Sequence, residues 1–254
     1  MFVARVRGVA PLGCGLSTRR HTHQRPSTSC RLRVHRAPGV TSTVLGASAR
    51  AATVVRRMPW RATSGDSHQS HSGDKYGILT VCLGNLCRSP TAEALLKKLL
   101  EERGLAERVF VDSCGTGGGN PDWYVENGWS YHEGDAADPR MVAAAAKRGV
   151  KISSTSRPLR PDDLERFDLI VGMDDSNVRE IRRAAVHWGE RYQRLADQKV
   201  HLVTEYCRKF QNVRSVPDPW YGGAGGFERV LDLLEDACVG LVETLPASLK
   251  EARR

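Results

Sequence analysis

Apolar and polar positions along the chain fall into two registers that alternate over its last 180 residues or so. Short β-branched and leucine-rich runs at 76–81, 109–112, 168–173 and 200–204 have the length and composition of strands. Between them lie stretches with the 3.6-residue period of helices. Over 91–103, Ala92, Leu95, Leu96, Leu99 and Leu100 fall on one face, and Gly104 stops the pattern. Asp138-Pro139 predicts another helix start, with an acid at the cap and proline in the first turn, and its alanine run ends at Gly149. A helix is predicted over 176–187. A last one is predicted over 227–245, where Val230, Leu234, Ala237, Leu241 and Leu245 form a stripe. Two glycine-containing segments, 115–135 and 215–226, read as irregular loops. Their glycines match neither dinucleotide nor Walker spacing.

Strands alternating with helices predict an α/β fold: a single three-layer domain with a four-stranded parallel sheet flanked by helices on both faces. Ligands of such sheets bind beyond the carboxyl ends of the strands. The chemistry is therefore expected just after the first strand.

Charge separates the chain into two parts. Residues 1–73 contain twelve arginines, no lysine and a single acid, Asp66, whereas the whole 254-residue chain is formally +9. The excess of base belongs to this leader, and the body 74–254 is slightly acidic. A nucleic-acid partner is not expected, because its footprint would have to lie on the folded part. The leader is rich in Arg, Ser and Thr and has only short apolar runs, the composition of an organellar transit peptide. Its hydroxyl content favours a chloroplast, while its basic amphipathic start, Phe2 to Arg7, suits a mitochondrion; an unused leader would leave the protein cytoplasmic. No run reaches the roughly 20 apolar residues of a membrane span. Of seven cysteines, Cys82, Cys87, Cys114, Cys207 and Cys238 lie in the body with no Cys-x2-Cys pair. Neither a disulfide framework nor a zinc site is expected.

The first strand runs into Val81-Cys82-Leu83-Gly84-Asn85-Leu86-Cys87-Arg88-Ser89-Pro90. A strand-to-helix turn aims successive backbone N–H groups into one concavity, and the helix N-terminus adds positive potential. Gly84 and Asn85 tolerate the backbone angles of such a turn. Arg88 supplies a planar fork for phosphate oxygens. Cys82, at the base of this field and within reach of the Ser89 hydroxyl, is expected to react as a thiolate. Phosphoryl displacement also needs an acid for the leaving oxygen. Asp218, stiffened by Pro217 and Pro219 and beside Trp220 and Tyr221, is the candidate. Cys87 either packs or forms a reversible disulfide with Cys82 under oxidation.

With Cys82-x5-Arg88-Ser89-Pro90 near its start and Asp218-Pro219-aromatic-Tyr221 near its end, the body resembles a low-molecular-weight protein tyrosine phosphatase. Asp112-Ser113-x-Gly115-Thr116 and Met173-Asp174-x-Ser176-Asn177 are lesser matches. The resemblance implies hydrolysis of phosphotyrosine or a small aryl phosphate through a cysteinyl-phosphate, without cofactor or metal, by a monomer. It implies Cys82 as nucleophile, Arg88 as phosphate ligand and Asp218 as general acid and base. Leu83, Gly84, Asn85, Leu86, Cys87 and Ser89 would contact the substrate from the loop, and Ser113 and Asp174 would support it. Tyr131, Trp220 and Tyr221 would wall the mouth.

Three departures stand out against the family pattern. Ser154 stands where a histidine supports the loop asparagine, so a shorter or water-mediated support is expected. Trp220 replaces a tyrosine. Residues 117–130, with Trp123, Tyr124 and Trp129, resemble an insertion at the mouth, and with the Tyr131-His132-Glu133-Gly134 run they are most similar to the plant and cyanobacterial branch. An arsenate reductase of the same fold would need further cysteines, and none lies between Asn120 and Tyr206. An arginine-phosphate phosphatase would carry a small hydroxyl residue at Leu86. A non-catalytic redox-sensing or phosphoprotein-binding module would not need both Cys82 and Asp218.

Overall fold

The structure, a computed structural model, describes residues 75–250. The basic leader 1–73 lies outside the described residues. Four parallel strands, β1 (Tyr76–Cys82), β2 (Val109–Gly115), β3 (Leu169–Gly172) and β4 (Val200–Leu202), form one sheet in the order β2-β1-β3-β4. Helices α1 (Arg88–Glu102), α2 (Pro139–Ala146), α3 (Pro161–Arg166), α4 (Asp175–Trp188), α5 (Glu190–Lys199), α6 (Gly223–Thr244) and α7 (Ala247–Lys250) complete the domain.

Two-residue periodicity in β1 sorts the layers. Ile78 packs with α1, α2 and α6 in one core, against Leu96, Leu100, Met141 and Leu231. Leu79 and Val81 point the other way, into a second core with Phe167, Ile170, Ile181 and Ala184. Each such fully buried aliphatic side chain contributes about 1.5–3 kcal/mol. Thr80 is the polar exception on the first face. Its hydroxyl is fully buried and donates to the Ser89 carbonyl at 2.9 Å, tying the strand to the first turn of α1. Because β1 is central and ends at Cys82, the topology switch between β2 and β3 opens where the cysteine loop begins.

The elements differ from the sequence reading where packing overrides local preference. α1 starts at Arg88, three residues early, because the loop itself supplies its first turn. α3 has a single buried apolar residue, Leu164, too few to set a period, and α5 carries only the short stripe of Tyr192, Leu195 and Ala196, which packs on the second core. Gly189 (φ 119°) breaks α4 from α5 in a conformation that glycine tolerates. β2 extends to Gly115. α6 begins at Gly223, inside the segment read as loop, with Gly226 beside Pro219.

The insertion 117–130 does not simply line the mouth. Trp123 is 4 % exposed and belongs to the second core, meeting Trp188 edge-on at 6.0 Å and Tyr124 at 5.5 Å. Trp188 Nε1 donates to the Tyr124 carbonyl at 2.9 Å, and the Arg183 guanidinium lies 5.2 Å from the Tyr124 ring. These contacts staple the loop to α4. A β-carbon on Gly117 (φ 84°) would fall 2.3 Å from Trp123 Cβ, so this glycine is what lets the indole pass beneath the chain. Among the described residues the Trp123 indole N–H has no hydrogen-bond partner, and its ring is held by packing.

Trp123→Ala should therefore lower unfolding free energy by about 3–5 kcal/mol in urea titrations, and Trp123→Phe by much less. Equal losses from the two substitutions would contradict a purely packing role.

Candidate active site

Residues 83–87 turn from β1 into α1 around the Cys82 sulfur. The tight point of the turn is Asn85, a non-glycine residue with positive φ, 55°. Its backbone N–H donates to Cys82 Sγ at 3.2 Å. Its side chain is 2 % exposed and fully used. Oδ1 accepts the Arg157 backbone N–H at 3.0 Å, and Nδ2 donates to Ser89 Oγ and Ser113 Oγ, both at 2.9 Å.

A backbone N–H can only donate, so the Arg157 bond fixes which end of the amide faces which neighbour. Each serine oxygen then accepts from Asn85 and must send its own proton onward. Ser113 donates to Glu93 Oε2 at 2.6 Å. Ser89 lies 3.0 Å from Cys82 Sγ and 3.2 Å from the Cys114 carbonyl, and its proton serves these acceptors. The proton order of the buried network thus follows from one backbone bond, and it leaves a donor facing the sulfur.

Expected support from Ser154 is not what the structure shows. Asn85 is held by the Arg157 main chain, and the neighbouring Ser156 hydroxyl donates to the Gly84 carbonyl at 2.9 Å. The support is direct and needs no water. Segment 157–159 can do this because it pairs with the end of β2: Gly115 N–H donates to the Arg157 carbonyl and Leu159 N–H to the Gly115 carbonyl. The Arg157 guanidinium is buried between Asp112 (2.7 Å) and Asp163 (2.8 Å). Burial lowers its proton affinity, but Asp163 and Asp112 outweigh that and hold it firmly charged.

Arg88, 3 % exposed, opens α1. Nη1 donates to Asp174 Oδ2 at 2.5 Å and to the Val216 carbonyl at 3.1 Å; Nη2 donates to Asp218 Oδ2 at 3.1 Å. Burial opposes the charge of Arg88, yet the Cys82 sulfur, Asp174 and Asp218 together raise its pKa. Asp174 caps α4, accepting from the Asn177 N–H at 2.9 Å and from the Ser176 hydroxyl. Burial pushes its carboxyl up, but Ser176, Arg88 and the Asn177 N–H prevail and hold it below the usual carboxylate range. Asp174 thus joins the end of β3 to the Arg88 guanidinium.

A cavity of about 230 Å³ opens over the loop. Cys82, Leu83, Gly84, Leu86, Cys87, Arg88, Gly118, His132, Asp218 and Trp220 line it, so residues 130 positions apart in the chain (Arg88 and Asp218) share one site. Asp218 Oδ1 also accepts the Trp220 backbone N–H at 3.1 Å, within the single helical turn Pro219–Tyr221. One expectation about the wall needs correcting. Tyr131 does not line the cavity; it is 59 % exposed and packs edge-on against Trp129 at 4.4 Å. Its neighbour His132 lines the wall instead, with Nδ1 3.1 Å from Asp135 Oδ2. Gly84 and Gly118 leave room for that ring, since a β-carbon on either would come within 3.1 Å of His132 Cδ2.

Cys87 is buried. Loss of water and the nearby Asp138 carboxylate push its pKa far up, so it is a neutral thiol. Among the described residues no group of three or more His, Cys, Asp or Glu side chains is placed to hold a metal ion. Positive charge at the cradle comes from Arg88 and from the N–H groups at the start of α1.

Glu93, His132, Ser156 and Arg157 were not singled out from the sequence. Glu93 had a visible signal: a carboxylate among the residues of an otherwise apolar helix face, now 5 % exposed and paired with Lys97 and Ser113.

The model of the family described as low molecular weight phosphotyrosine protein phosphatase matches residues 77–253. A protein of the cyanobacterium Synechocystis sp., named for the low molecular weight protein-tyrosine-phosphatases, is 41 % identical over 172 residues, covering 68 % of this chain and 98 % of its own. A crystal structure of a protein tyrosine phosphatase from Entamoeba histolytica is 39 % identical with a TM-score of 0.58, covering 68 % of this chain and 99 % of its own. The drosophila arginine phosphatase structure is also similar, at 28 % identity and TM-score 0.54 over 65 % of this chain and 95 % of its own. The match runs the length of the domain and through both site motifs: the chain belongs to the low molecular weight phosphotyrosine protein phosphatase family, and it is a hydrolase of that kind.

Proposed function

We propose that the chain hydrolyses aryl phosphate monoesters, phosphotyrosine foremost, by double displacement at Cys82. The observation that carries this is the meeting of Cys82, Arg88 and Asp218 in one cavity, with a hydrogen-bond donor already on the sulfur. A phosphate seated among the loop N–H groups accepts a hydrogen bond from Arg88 Nη2 and displaces Asp218 Oδ2 from it. That carboxyl then faces the ester oxygen. The sulfur attacks phosphorus, the P–S bond forms, and the P–O bond breaks as Asp218 gives its proton to the leaving phenolate. Asp218, now a carboxylate, takes a proton from water; the water oxygen attacks phosphorus and the thiolate leaves with inorganic phosphate released. The apolar wall of Leu83, Leu86 and Trp220 suits an aromatic leaving group.

The arginine-phosphate reading is the second candidate, because a structure of that activity shares the fold. Leu86, which faces the cavity, is the observation against it.

Cys82→Ser should lose about 10³-fold or more in turnover of p-nitrophenyl phosphate. In kcat/KM, Asp218→Ala should lose about 10²-fold or more on phenyl phosphate and far less on p-nitrophenyl phosphate, whose phenolate leaves without a proton. Undiminished turnover by Cys82→Ser, or equal losses for both esters in Asp218→Ala, would contradict the assignment. A phosphoarginine peptide turned over faster than its phosphotyrosine counterpart would favour the second candidate.

We further propose that the leader directs the protein to a plastid, on the strength of its arginine, serine and threonine content and its single acid. A fluorescent protein fused after residue 74 should enter chloroplasts. Mitochondrial or cytosolic signal would contradict this.

A further inference from the structure

We propose that Arg140 is a positioning residue for the general acid, acting through Trp220. The proposal rests on the reading of Asp218 as that acid. Asp138 begins the connection. Its backbone N–H donates to the Leu86 carbonyl at 2.9 Å, which ties it to the cysteine loop. Its carboxylate, 5 % exposed, caps α2 through the Arg140 N–H at 2.8 Å. The same carboxylate grips the Arg140 side chain from the edge, with Nε at 3.1 Å and Nη2 at 2.6 Å. Held this way, the guanidinium turns its flat face to two rings. Its central carbon lies 5.0 Å from the centre of Trp220 and 5.1 Å from that of Phe227.

Phe227 is buried at the start of α6 and is a fixed floor. Trp220 is not; it is 46 % exposed on the turn that carries Asp218, and its own N–H holds Asp218 Oδ1. A cation clamped by the cysteine loop therefore pins the aromatic residue of the acid's turn. Lysine could not make the two-point grip on Asp138 and present a flat face at once. The acid must stand within hydrogen-bond reach of the leaving oxygen, and small misplacements are costly to proton transfer. The simple alternative is that Arg140 only strengthens α2. That role would lower activity toward every ester alike.

The difference appears in kcat/KM, which reports the step in which the ester oxygen leaves. In the full chain, Arg140→Met should reduce kcat/KM for phenyl phosphate by about tenfold, part of the 10²- to 10⁴-fold due to a general acid. For p-nitrophenyl phosphate the loss should stay below about twofold, and inhibition by inorganic phosphate should not change. Asp138→Asn, which keeps a competent helix cap but drops the charge that grips Arg140, should show the same dependence on leaving group. Arg140→Lys should recover part of the loss. In an Asp218→Ala background, Arg140→Met should change nothing further, because the group it positions is gone. Equal losses on both esters, or a full additional loss in the Asp218→Ala background, would overturn the proposal. If Asp218→Ala itself shows no leaving-group dependence, it is the acid assignment that fails, independently of Arg140.

Discussion

The hydrogen bond from the Arg157 backbone N–H to Asn85 Oδ1 sets the order of everything around the Cys82 sulfur. It fixes the amide, the amide fixes two serine hydroxyls, and the serines leave one donor at the sulfur and one at a buried glutamate. A buried network of this kind is strong only when complete, since each unpaired group would cost about 1–3 kcal/mol. Here each member has its partner. The strained point, Asn85 at φ 55°, is compensated by the bonds its side chain makes from that position. The cradle is therefore shaped by the protein before any phosphate arrives, and transition-state charge meets dipoles that need not reorganise.

Parallel-sheet topology explains how such distant residues converge. Cys82 ends the central strand, Ser113 and Gly115 end β2, and Asp174 follows β3 by two residues. All three strands run the same way, so their carboxyl ends deliver nucleophile, support and arginine anchor to one edge of the sheet. Val216 joins them because its N–H donates to the Met173 carbonyl at 2.9 Å, while its own carbonyl accepts from Arg88. The acid's turn is thus tied to the end of β3 on one side and reached by Arg140 on the other.

How legible this was in the sequence differed by kind of interaction. The sheet, its layers and the meeting of Cys82, Arg88 and Asp218 were readable because strand period, helix period and the motif spacing are local properties. Asp174 was readable as part of a motif. Support for Asn85 was not: Ser154 was the side-chain candidate, and the partner is a main-chain N–H three residues beyond it that any amino acid except proline could offer. The aromatic insertion was misjudged for a related reason. Trp123 and Trp129 are alike in sequence, yet one is stapled beneath Gly117 against Trp188 and the other is half exposed beside Tyr131. Only the packing across 65 residues of chain from Trp123 to Trp188 tells them apart. Tyr131 and His132 exchanged places as wall residue because a turn, unlike a strand, sets no fixed alternation of faces.

The central claim is that this preformed loop receives the phosphoryl group on one sulfur. The most direct measurement is mass spectrometry of Asp218→Ala quenched in acid during turnover of p-nitrophenyl phosphate, when loss of the base should let the second step lag behind the first. A phosphate carried by the peptide containing Cys82, on that cysteine, is the predicted result. Phosphate on another residue, or an unmodified protein releasing nitrophenol at the same rate, would contradict it.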